Sequence, residues 1–470
     1  MKLRTFLCAP IFILSCTASV NAEEASSHAD KPNIIYILAD DTGIGDIGAY
    51  NANSKIPTPN LDLMAEQGMK FTDAHSPSSV CTPTRYSVLT GRYSWRSRLK
   101  KGVLWGYDPA LIEEGRETVA SLLKSQGYNT AGIGKWHLGL GDTKPTDYSK
   151  PLSPGPIDNG FDYYYGIPAS LDMAPYVYFE NDQVIEPATA YTEKHGKPRG
   201  VGGGEEYWRA GKMAKNFKHI DVLPNIITRA EEYIRTQKDA DKPFFLYLPL
   251  PAPHQPWLPT EEFVGKSKAG FYGDFMHQVD STVGQIVDAV AESGMSENTL
   301  IIFTSDNGSH WYDADTEKYD HSSNMHWRGR KGGIYEGGHR VPFIVKWPAK
   351  IGKNKTSDEL VSLNDFMATA AAITGTKLPD DAAEDSVNLL PVLLDEKRNG
   401  PIRETAIMHS VNGTFAIRKG HWKLINAHNS GGFGPHNQVE NPPPVQLFNL
   451  STDPTESNNL YKQHPEKVKE

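Results

Sequence analysis

Residues 33–43 read NIIYILADDTG, and this stretch decides the expected fold of the chain. Its first six residues form a short, continuous apolar run that is rich in β-branched side chains. A run of this length and composition is typical of a strand that is buried on both faces of a parallel sheet. Asp40 and Asp41 follow one residue after the run. The stretch therefore predicts a central parallel strand whose carboxyl end delivers two carboxylates.

Three further apolar runs resemble the first one, at residues 128–133, 244–248 and 300–304. Helical patterns with proline or glycine at their ends lie between and around the runs, and predict helices at residues 59–68, 84–90, 118–126, 225–236, 271–293 and 360–374. The middle of the chain, from about residue 140 to 211, is predicted to be rich in loops. Strands that alternate with helices predict an α/β fold built on a large, mostly parallel sheet flanked by helices.

The pattern changes near Gly400, where short alternating strands replace the long apolar runs. The predicted strands lie at residues 406–408, 415–418, 422–425 and 447–450. We therefore expect a main α/β domain over residues 23–400 and a small α+β subdomain with an antiparallel sheet over residues 401–470.

The first 22 residues have the composition of a secretory signal peptide. Lys2 and Arg4 precede an apolar run, and the segment ends in a cleavage-site pattern at residues 20–22. A lipid anchor on Cys16 is less favoured, because Leu14 stands where a small residue is usual. No later stretch is long and apolar enough to span a membrane. Without this segment, which has two basic and no acidic residues, the net charge falls from −9 to −11, which argues against nucleic acid as a partner.

Cys81 is the only cysteine outside the predicted signal peptide, which contains Cys8 and Cys16. A single cysteine in an exported protein cannot form an internal disulfide, so Cys81 is either an inert buried thiol or a reactive group. It precedes a predicted short helix that ends at Gly91, and Arg85 lies one helical turn after it. Helix amino termini and arginines both favour negative charge, so this stretch predicts an anion site.

Polar residues follow the carboxyl ends of all four predicted parallel strands. They are Asp40 and Asp41 after the first strand, Lys135 and His137 after the second, His254 after the third, and Asp306 and Asn307 after the fourth. Each group alone has an ordinary structural explanation as a turn or a solvated edge. Together they favour a site, because ligands bind at this edge of open parallel sheets. The carboxylate and amide oxygens suit Ca²⁺ or Mg²⁺ better than zinc.

Two segments resemble the signatures of type I sulfatases, of the alkaline phosphatase superfamily. These are Cys81-Thr-Pro-Thr-Arg85 and residues 127–137, which read GYNTAGIGKWH. Residues 331–342 resemble a third block of that family, and residues 447–460 resemble its C-terminal block. The resemblance covers nearly the whole mature chain in the same order, and it implies an alkaline-phosphatase-like fold and a sulfuric ester hydrolase.

The resemblance also implies roles for individual residues. Cys81 would be oxidised by a separate formylglycine-generating enzyme to formylglycine (3-oxoalanine), whose hydrate has one hydroxyl to attack sulfur and a second to release sulfate. This residue would bind one Ca²⁺ together with Asp40, Asp41, Asp306 and Asn307. Five further residues would stabilise charge, move protons or contact sulfate and the leaving alcohol: Arg85 and Lys135 hold the hydrate, His137 is the base, and His254 and Lys331 contact sulfate. His310, His326 and His339 are either substrate contacts or ordinary loop histidines.

The leaving group would be recognised by side chains around these motifs, namely Trp105, the aromatic segment 161–180, Trp257 and the loop 309–327. Export without a disulfide suggests a bacterial periplasm or the cell exterior, where a sulfated polysaccharide is the expected substrate. We expect exo action on galactose or N-acetylgalactosamine sulfate units. The alternatives are an arylsulfatase, a phosphonate or phosphodiester hydrolase on the same fold, and a non-catalytic protein that binds sulfated glycans.

Overall fold

The computed structural model describes residues 31–200, 203–433 and 441–470, so the predicted signal peptide lies outside the described residues. The strands in these ranges are β1 (Asn33–Ala39), β2 (Met69–Phe71), β3 (Ala74–His75), β4 (Asn129–Lys135), β5 (Tyr163–Ile167), β6 (Phe179–Glu180), β7 (Gln183–Val184), β8 (Ala190–Thr192), β9 (Gly211–Met213), β10 (Phe244–Pro249), β11 (Thr299–Ser305), β12 (Phe343–Lys346), β13 (Lys355–Ser357), β14 (Val361–Ser362), β15 (Thr405–His409), β16 (Phe415–Lys419), β17 (Trp422–Ile425) and β18 (Gln446–Asn449).

The helices in the same ranges are α1 (Pro59–Glu66), α2 (Cys81–Thr90), α3 (Val119–Ser125), α4 (Val222–Thr236), α5 (Gly270–Glu292), α6 (Asp313–Tyr319), α7 (Glu336–His339), α8 (Phe366–Thr374), α9 (Leu390–Leu393) and α10 (Pro465–Lys469). None of these helices combines the length and the apolar character needed to cross a membrane.

Ten strands form one large sheet, in the order β13-β2-β12-β11-β1-β10-β4-β5-β6-β7. Its centre, from β11 through β1, β10 and β4 to β5, is parallel. The strand β12 pairs with β11 in the antiparallel sense, and β6 does the same with β5. The prediction of a large, mostly parallel sheet is confirmed.

The central strand β1 is buried on both faces of the sheet. Ile35 and Ile37 pack into the hydrophobic core that also contains buried residues of α4 and α5. Tyr36 and Leu38 point to the opposite face, into a second core that includes residues of α2, α3 and α8. The continuous apolar run at residues 33–38 is thus explained by helices that cover both faces of the sheet.

Several predicted helices have different bounds in the structure, and two of these differences matter for the packing near the predicted site. The helix α2 begins at Cys81 rather than at residue 84, and it ends at Gly91, whose left-handed φ of 66° suits glycine. The helix predicted over residues 360–374 is wrong in its first part, because Val361 pairs with Ala74 as strand β14. The Ser362 N–H then donates to Asp365 Oδ2 (2.9 Å) in a short 3₁₀ turn, and α8 begins only at Phe366.

The first part of the aromatic segment 161–180, which lies in the predicted loop-rich region, is a strand. Residues 163–167 form β5, and Phe161 and Tyr164 are fully buried in the core, where Tyr164 stacks on Phe179 with ring centroids 4.9 Å apart. The run of aromatic side chains is explained by a strand that is covered on both faces. These rings therefore do not contact a substrate.

The C-terminal strands β15 to β18 form a separate four-stranded antiparallel sheet, as predicted. This sheet contacts the segment that leads into α2, because the Ser79 N–H donates to the His409 carbonyl (3.1 Å). The Val411 N–H donates to the carbonyl of Gly332 (3.0 Å), which lies next to Lys331. The small sheet therefore helps to fix two loops that carry predicted site residues.

Candidate functional site

The register of the parallel strands brings the predicted site residues together. Ala39 of β1 pairs with Ser305 of β11, so Asp40 and Asp306 leave the sheet side by side. The Asp306 N–H donates to the Ala39 carbonyl, and the Asp40 N–H donates to the carbonyl of Ala252, which follows β10 (both 3.0 Å). The carboxyl ends of three strands therefore meet at one point.

Backbone conformation positions the site residues of β4 and β1. Gly134 precedes Lys135, and a Cβ at this position would lie 2.0 Å from the Pro249 carbonyl oxygen, so only glycine allows β4 to approach β10 there. Asp41 and His137 have left-handed φ values of 71° and 57°, which residues other than glycine rarely adopt. Such conformations cluster at functional sites because the surrounding structure must hold them in place.

Three cations pair with the three buried aspartates of the site. Arg85 donates from Nε and Nη2 to Asp306 Oδ2 at 3.0 and 2.7 Å. Lys135 Nζ contacts Asp40 Oδ2 and also donates to Ser170 Oγ at 2.7 Å. The third pair joins Lys331 Nζ to Asp41 Oδ1 at 2.7 Å.

The pKa values of Asp40 and Asp306 are shifted in opposite directions. Burial alone would raise the pKa of Asp40, but the charges of Lys135, His254 and Arg85 outweigh burial and hold this pKa well below its usual range. Burial, followed by the negative charge of Asp40, raises the pKa of Asp306 to about 7. Any further cation bound beside these carboxylates would favour the ionised form of Asp306.

The oxygen atoms at this point fit a hard cation. Asp40 Oδ1 and Asn307 Oδ1 are buried and have no hydrogen-bond partner among the described residues. Asn307 Nδ2 donates to Asp41 Oδ1 (2.7 Å), which leaves the amide oxygen as the free acceptor. Asp40, Cys81 and Asp306 offer possible ligand atoms within 4.8 Å of one another. Buried oxygens without partners are costly unless a ligand satisfies them, so this donor set suits Ca²⁺.

Cys81 is the first residue of α2 and is only 2% exposed. Burial raises the pKa of its thiol, although the charges of Lys135 and Lys331 act in the opposite direction. The thiolate is the reactive form of cysteine, so the unmodified Cys81 side chain is a poor nucleophile at neutral pH.

His137 has one ring nitrogen available to accept a proton. Its Nε2 lies 2.7 Å from the Leu104 carbonyl oxygen, which can only accept, so Nε2 carries the hydrogen. Its Nδ1 is buried without a partner in the described part of the chain. Burial, together with the charges of Lys135 and Arg85, holds the pKa of His137 well below its ordinary value, so Nδ1 keeps a free lone pair.

His254 has the opposite tautomer. Its Nδ1 donates to the Gln255 carbonyl (2.6 Å), and its Nε2 lies 3.9 Å from Asp41 Oδ2. Burial and the charge of Lys331 lower the pKa of His254.

A cavity of about 630 Å³ opens beside these groups. The buried residues of its lining include Cys81, Ser170, Asp172, His254 and Lys331. Trp105, Arg209, Gln255 and His310 also line it, among other residues. Trp105 is 50% exposed, and the Arg209 guanidinium lies 5.0 Å from the centre of its ring. The cavity therefore joins a polar, charged interior to an aromatic rim.

Some residues named from the sequence lie outside this cavity. His339 is fully buried, with its Nδ1 3.0 Å from His75 Nδ1 and its Nε2 3.1 Å from Lys423 Nζ, so it is not a substrate contact. His326 lines an adjoining groove instead. Trp257 is 9% exposed and lies beneath Arg199, whose guanidinium is 4.8 Å from the tryptophan ring.

Arg209, Arg330 and Phe433 line the cavity and were not predicted from the sequence, whereas Ser170 and Asp172 line it and lie within the predicted segment 161–180 without having been singled out. Ser170 and Asp172 follow β5, which lies in the region that the sequence predicts to be rich in loops. Had the run at residues 163–167 been recognised as a fifth parallel strand, the polar residues after it would have joined the predicted site.

Comparison with known proteins gives a consistent result. The sulfatase family model matches residues 32–376, and the model for the C-terminal part of N-sulphoglucosamine sulphohydrolase matches residues 326–469. The chain is 37% identical to N-acetylgalactosamine-6-O-sulfatase of Bacteroides thetaiotaomicron, over 97% of this chain and 95% of that protein. It is 32% identical to human steryl-sulfatase, over 93% and 85% of the two chains.

A solved structure from work on the metabolism of multiple glycosaminoglycans by Bacteroides thetaiotaomicron has a similar fold. It superposes with a TM-score of 0.82 and 36% identity, and the match covers 94% of this chain and 97% of that one.

Proposed function

The chain belongs to the sulfatase family of sulfuric ester hydrolases, and we propose that it removes sulfate from a saccharide. The proposed substrate has a terminal N-acetylgalactosamine or galactose unit sulfated at its 6-position, and the enzyme acts from that end. The similarity to the N-acetylgalactosamine-6-O-sulfatase of Bacteroides thetaiotaomicron supports this choice of sugar and position. The proposal places the protein outside the bacterial cytoplasm, after removal of residues 1–22 and maturation of Cys81 by a formylglycine-generating enzyme.

The observation that carries the proposal is the contrast between the buried, charged residues of the cavity lining and its half-exposed tryptophan. Cations and histidines surround Cys81, which suits a sulfate group. The rim presents the half-exposed ring of Trp105 beside the Asp172–Arg209 ion pair. An aromatic face next to fixed polar groups suits a sugar, which has apolar ring faces and hydroxyl edges. The cavity volume of about 630 Å³ lies within the range of small-molecule sites.

Two groups would complete the site. Asp40, Asp41, Asp306 and Asn307 would hold Ca²⁺ together with residue 81, and the ion would supply positive charge next to the sulfate oxygens. Formylglycine at position 81 would supply the nucleophilic hydroxyl that the buried thiol does not provide.

Side chains of the protein itself would bind the sulfate group and hold the site residues in position. Lys135 and Lys331, which pair with Asp40 and Asp41, would bind sulfate oxygens and stabilise the negative charge that develops on them. Arg85 contacts Asp306 and the Lys135 carbonyl, so it would hold both residues in position. Ser170 Oγ accepts from Lys135 Nζ and would orient that ammonium group.

Two histidines would move protons in opposite directions. His137 would accept a proton at Nδ1, because its Nε2 is committed to the Leu104 carbonyl. His254 carries no hydrogen on Nε2 in its neutral form, so it would deliver a proton from this atom to the departing alcohol only as the imidazolium, which the Asp41 carboxylate at 3.9 Å would stabilise.

The experiment is release of sulfate from defined esters, by protein whose residue 81 has been verified by mass spectrometry. We expect rapid release from 6-sulfated N-acetylgalactosamine or galactose and slow release from their 4-sulfated isomers. Turnover of aryl sulfates alone would instead favour an arylsulfatase. Preferential turnover of phosphonate or phosphate diesters would indicate a phosphonate or phosphodiester hydrolase. Tight binding without turnover would indicate a non-catalytic protein that binds sulfated glycans.

A further inference from the structure

One cation in the cavity differs from the others in its pairing. Four cationic side chains line the cavity: Arg199, Arg209, Arg330 and Lys331. Three of them form ion pairs, which are Arg199–Asp315, Arg209–Asp172 and Lys331–Asp41. Within the described ranges, no carboxylate lies within 4.0 Å of the Arg330 guanidinium. The charge of Arg330 is therefore available to a ligand.

Arg330 is held in place without a carboxylate. Its guanidinium lies 4.0 Å from the centre of the Tyr312 ring, and its side chain is only partly exposed. A guanidinium on an aromatic face keeps its hydrogen-bond donors free at its edge, where a planar carboxylate or a sulfate can bind. The structure thus orients a cation that forms no ion pair with any carboxylate of the described residues.

Arg330 stands where the cavity meets a second recess. The adjoining groove has a volume of about 600 Å³ and runs along residues 322–330. Arg330, Lys331 and Phe433 line both the cavity and the groove. Phe433 is 47% exposed, and its ring centre lies 5.7 Å from that of His310. A saccharide with its sulfated end in the cavity would continue along this groove past the exposed ring of Phe433 and the guanidinium of Arg330.

We propose that Arg330 binds an anionic group on the sugar unit next to the one that loses its sulfate, with Phe433 stacking on that unit. This inference rests on the proposed function, since it requires a sulfated saccharide in the cavity. The anion is either a uronic acid carboxylate or a second sulfate, because both match the donors of a guanidinium. The preferred substrate would therefore be an acidic glycan rather than a neutral one with isolated sulfates.

The test compares substrates that differ only in the neighbouring unit. All carry the same 6-sulfated terminal sugar, and three neighbouring units are compared. Two are acidic, namely a uronic acid and a sugar without a carboxyl group that carries one sulfate. The third is neutral, namely the uronic acid unit with its carboxyl reduced to an alcohol. We expect the wild-type protein to favour at least one acidic neighbour by about 10-fold in kcat/KM, the lower end for a charged hydrogen bond at a partly exposed site. In Arg330→Gln this ratio should fall to about 1. The acidic substrate whose kcat/KM preference is lost in Arg330→Gln identifies the bound anion as a carboxylate or a sulfate.

Arg229→Gln is the matched control. The Arg229 guanidinium also lies over a tyrosine, 4.7 Å from the centre of the Tyr165 ring, and it lines neither the cavity nor the groove. This variant should keep the wild-type ratio. Melting temperatures of both variants would verify that each protein is folded.

Two results would overturn the inference while sulfate release itself stands. One is a wild-type protein that does not distinguish acidic from neutral neighbours. The other is an Arg330→Gln variant that keeps the wild-type ratio, which would mean that Arg330 acts on the reacting sulfate or on the fold. Failure of the wild-type protein to release sulfate from any of the saccharides would instead refute the proposed function, and the inference with it.

Discussion

Trp105 provides a quantitative test of the sugar-binding rim. Half of its surface is exposed at the mouth of the cavity. A tryptophan can bury about 200 Å² in a complex, so a sugar ring that covers most of the free half would bury about 80 Å² of it. At about 25 cal/mol per Å² this contact contributes about 2 kcal/mol. Trp105→Ala should therefore lower kcat/KM for the sulfated saccharide by about 30-fold.

Trp95→Ala is the matched control for this experiment. Both tryptophans carry an arginine 5.0 Å from the ring centre, Arg96 over Trp95 and Arg209 over Trp105, but Trp95 lies outside the cavity. Initial rates of sulfate release, measured below KM with folded proteins, should show a large loss for Trp105→Ala only. Equal losses in the two variants, or no loss in Trp105→Ala, would refute the stacking argument.

Three further predictions concern the metal, the nucleophile and the stability of the fold. Asp306→Ala should lose bound calcium and activity together, and an unchanged calcium content by elemental analysis would contradict its role as a ligand. Cys81→Ser should abolish multiple turnover in steady-state assays, because serine has a single hydroxyl; sustained wild-type activity would refute the mechanism. Burial lowers the pKa of His409 to about 4, so the ring is neutral in the folded protein. The unfolded chain takes up a proton below about 6.5, so this site should cost up to about 3 kcal/mol of stability as the pH falls from 6.5 to 4. The pH dependence of urea midpoints should be weaker in His409→Gln, and identical profiles would contradict this assignment.

The central sheet and its site could be predicted because their signals are local. The apolar run before Asp40 needs burial on both faces, and parallel strands align the polar residues that follow them, so Asp40, Lys135, His254 and Asp306 could be placed at one edge before any coordinates were known. The pairing of Lys331 with Asp41 could not be predicted, since it depends on a loop that returns from 290 residues further along the chain.

The errors arose where tertiary packing outweighs local pattern. Tyr164 belongs to a run of aromatic residues that looks like an exposed binding loop, yet the core on both sides of β5 buries it. Val361 lies in a helical pattern but pairs with Ala74, because β3 offers an open edge there. Arg209 and Phe433 have no motif, and they reach the cavity only through the path of long connections.

The most direct test of the account is whether sulfate release depends on the chemical form of residue 81. The protein would be prepared with different fractions of aldehyde and thiol at this position, quantified by mass spectrometry, and assayed on a 6-sulfated N-acetylgalactosamine saccharide with calcium present. We predict that kcat increases in proportion to the aldehyde fraction and extrapolates to zero for the pure thiol. A thiol form of Cys81 that turns over the saccharide as fast as the aldehyde form would contradict the account.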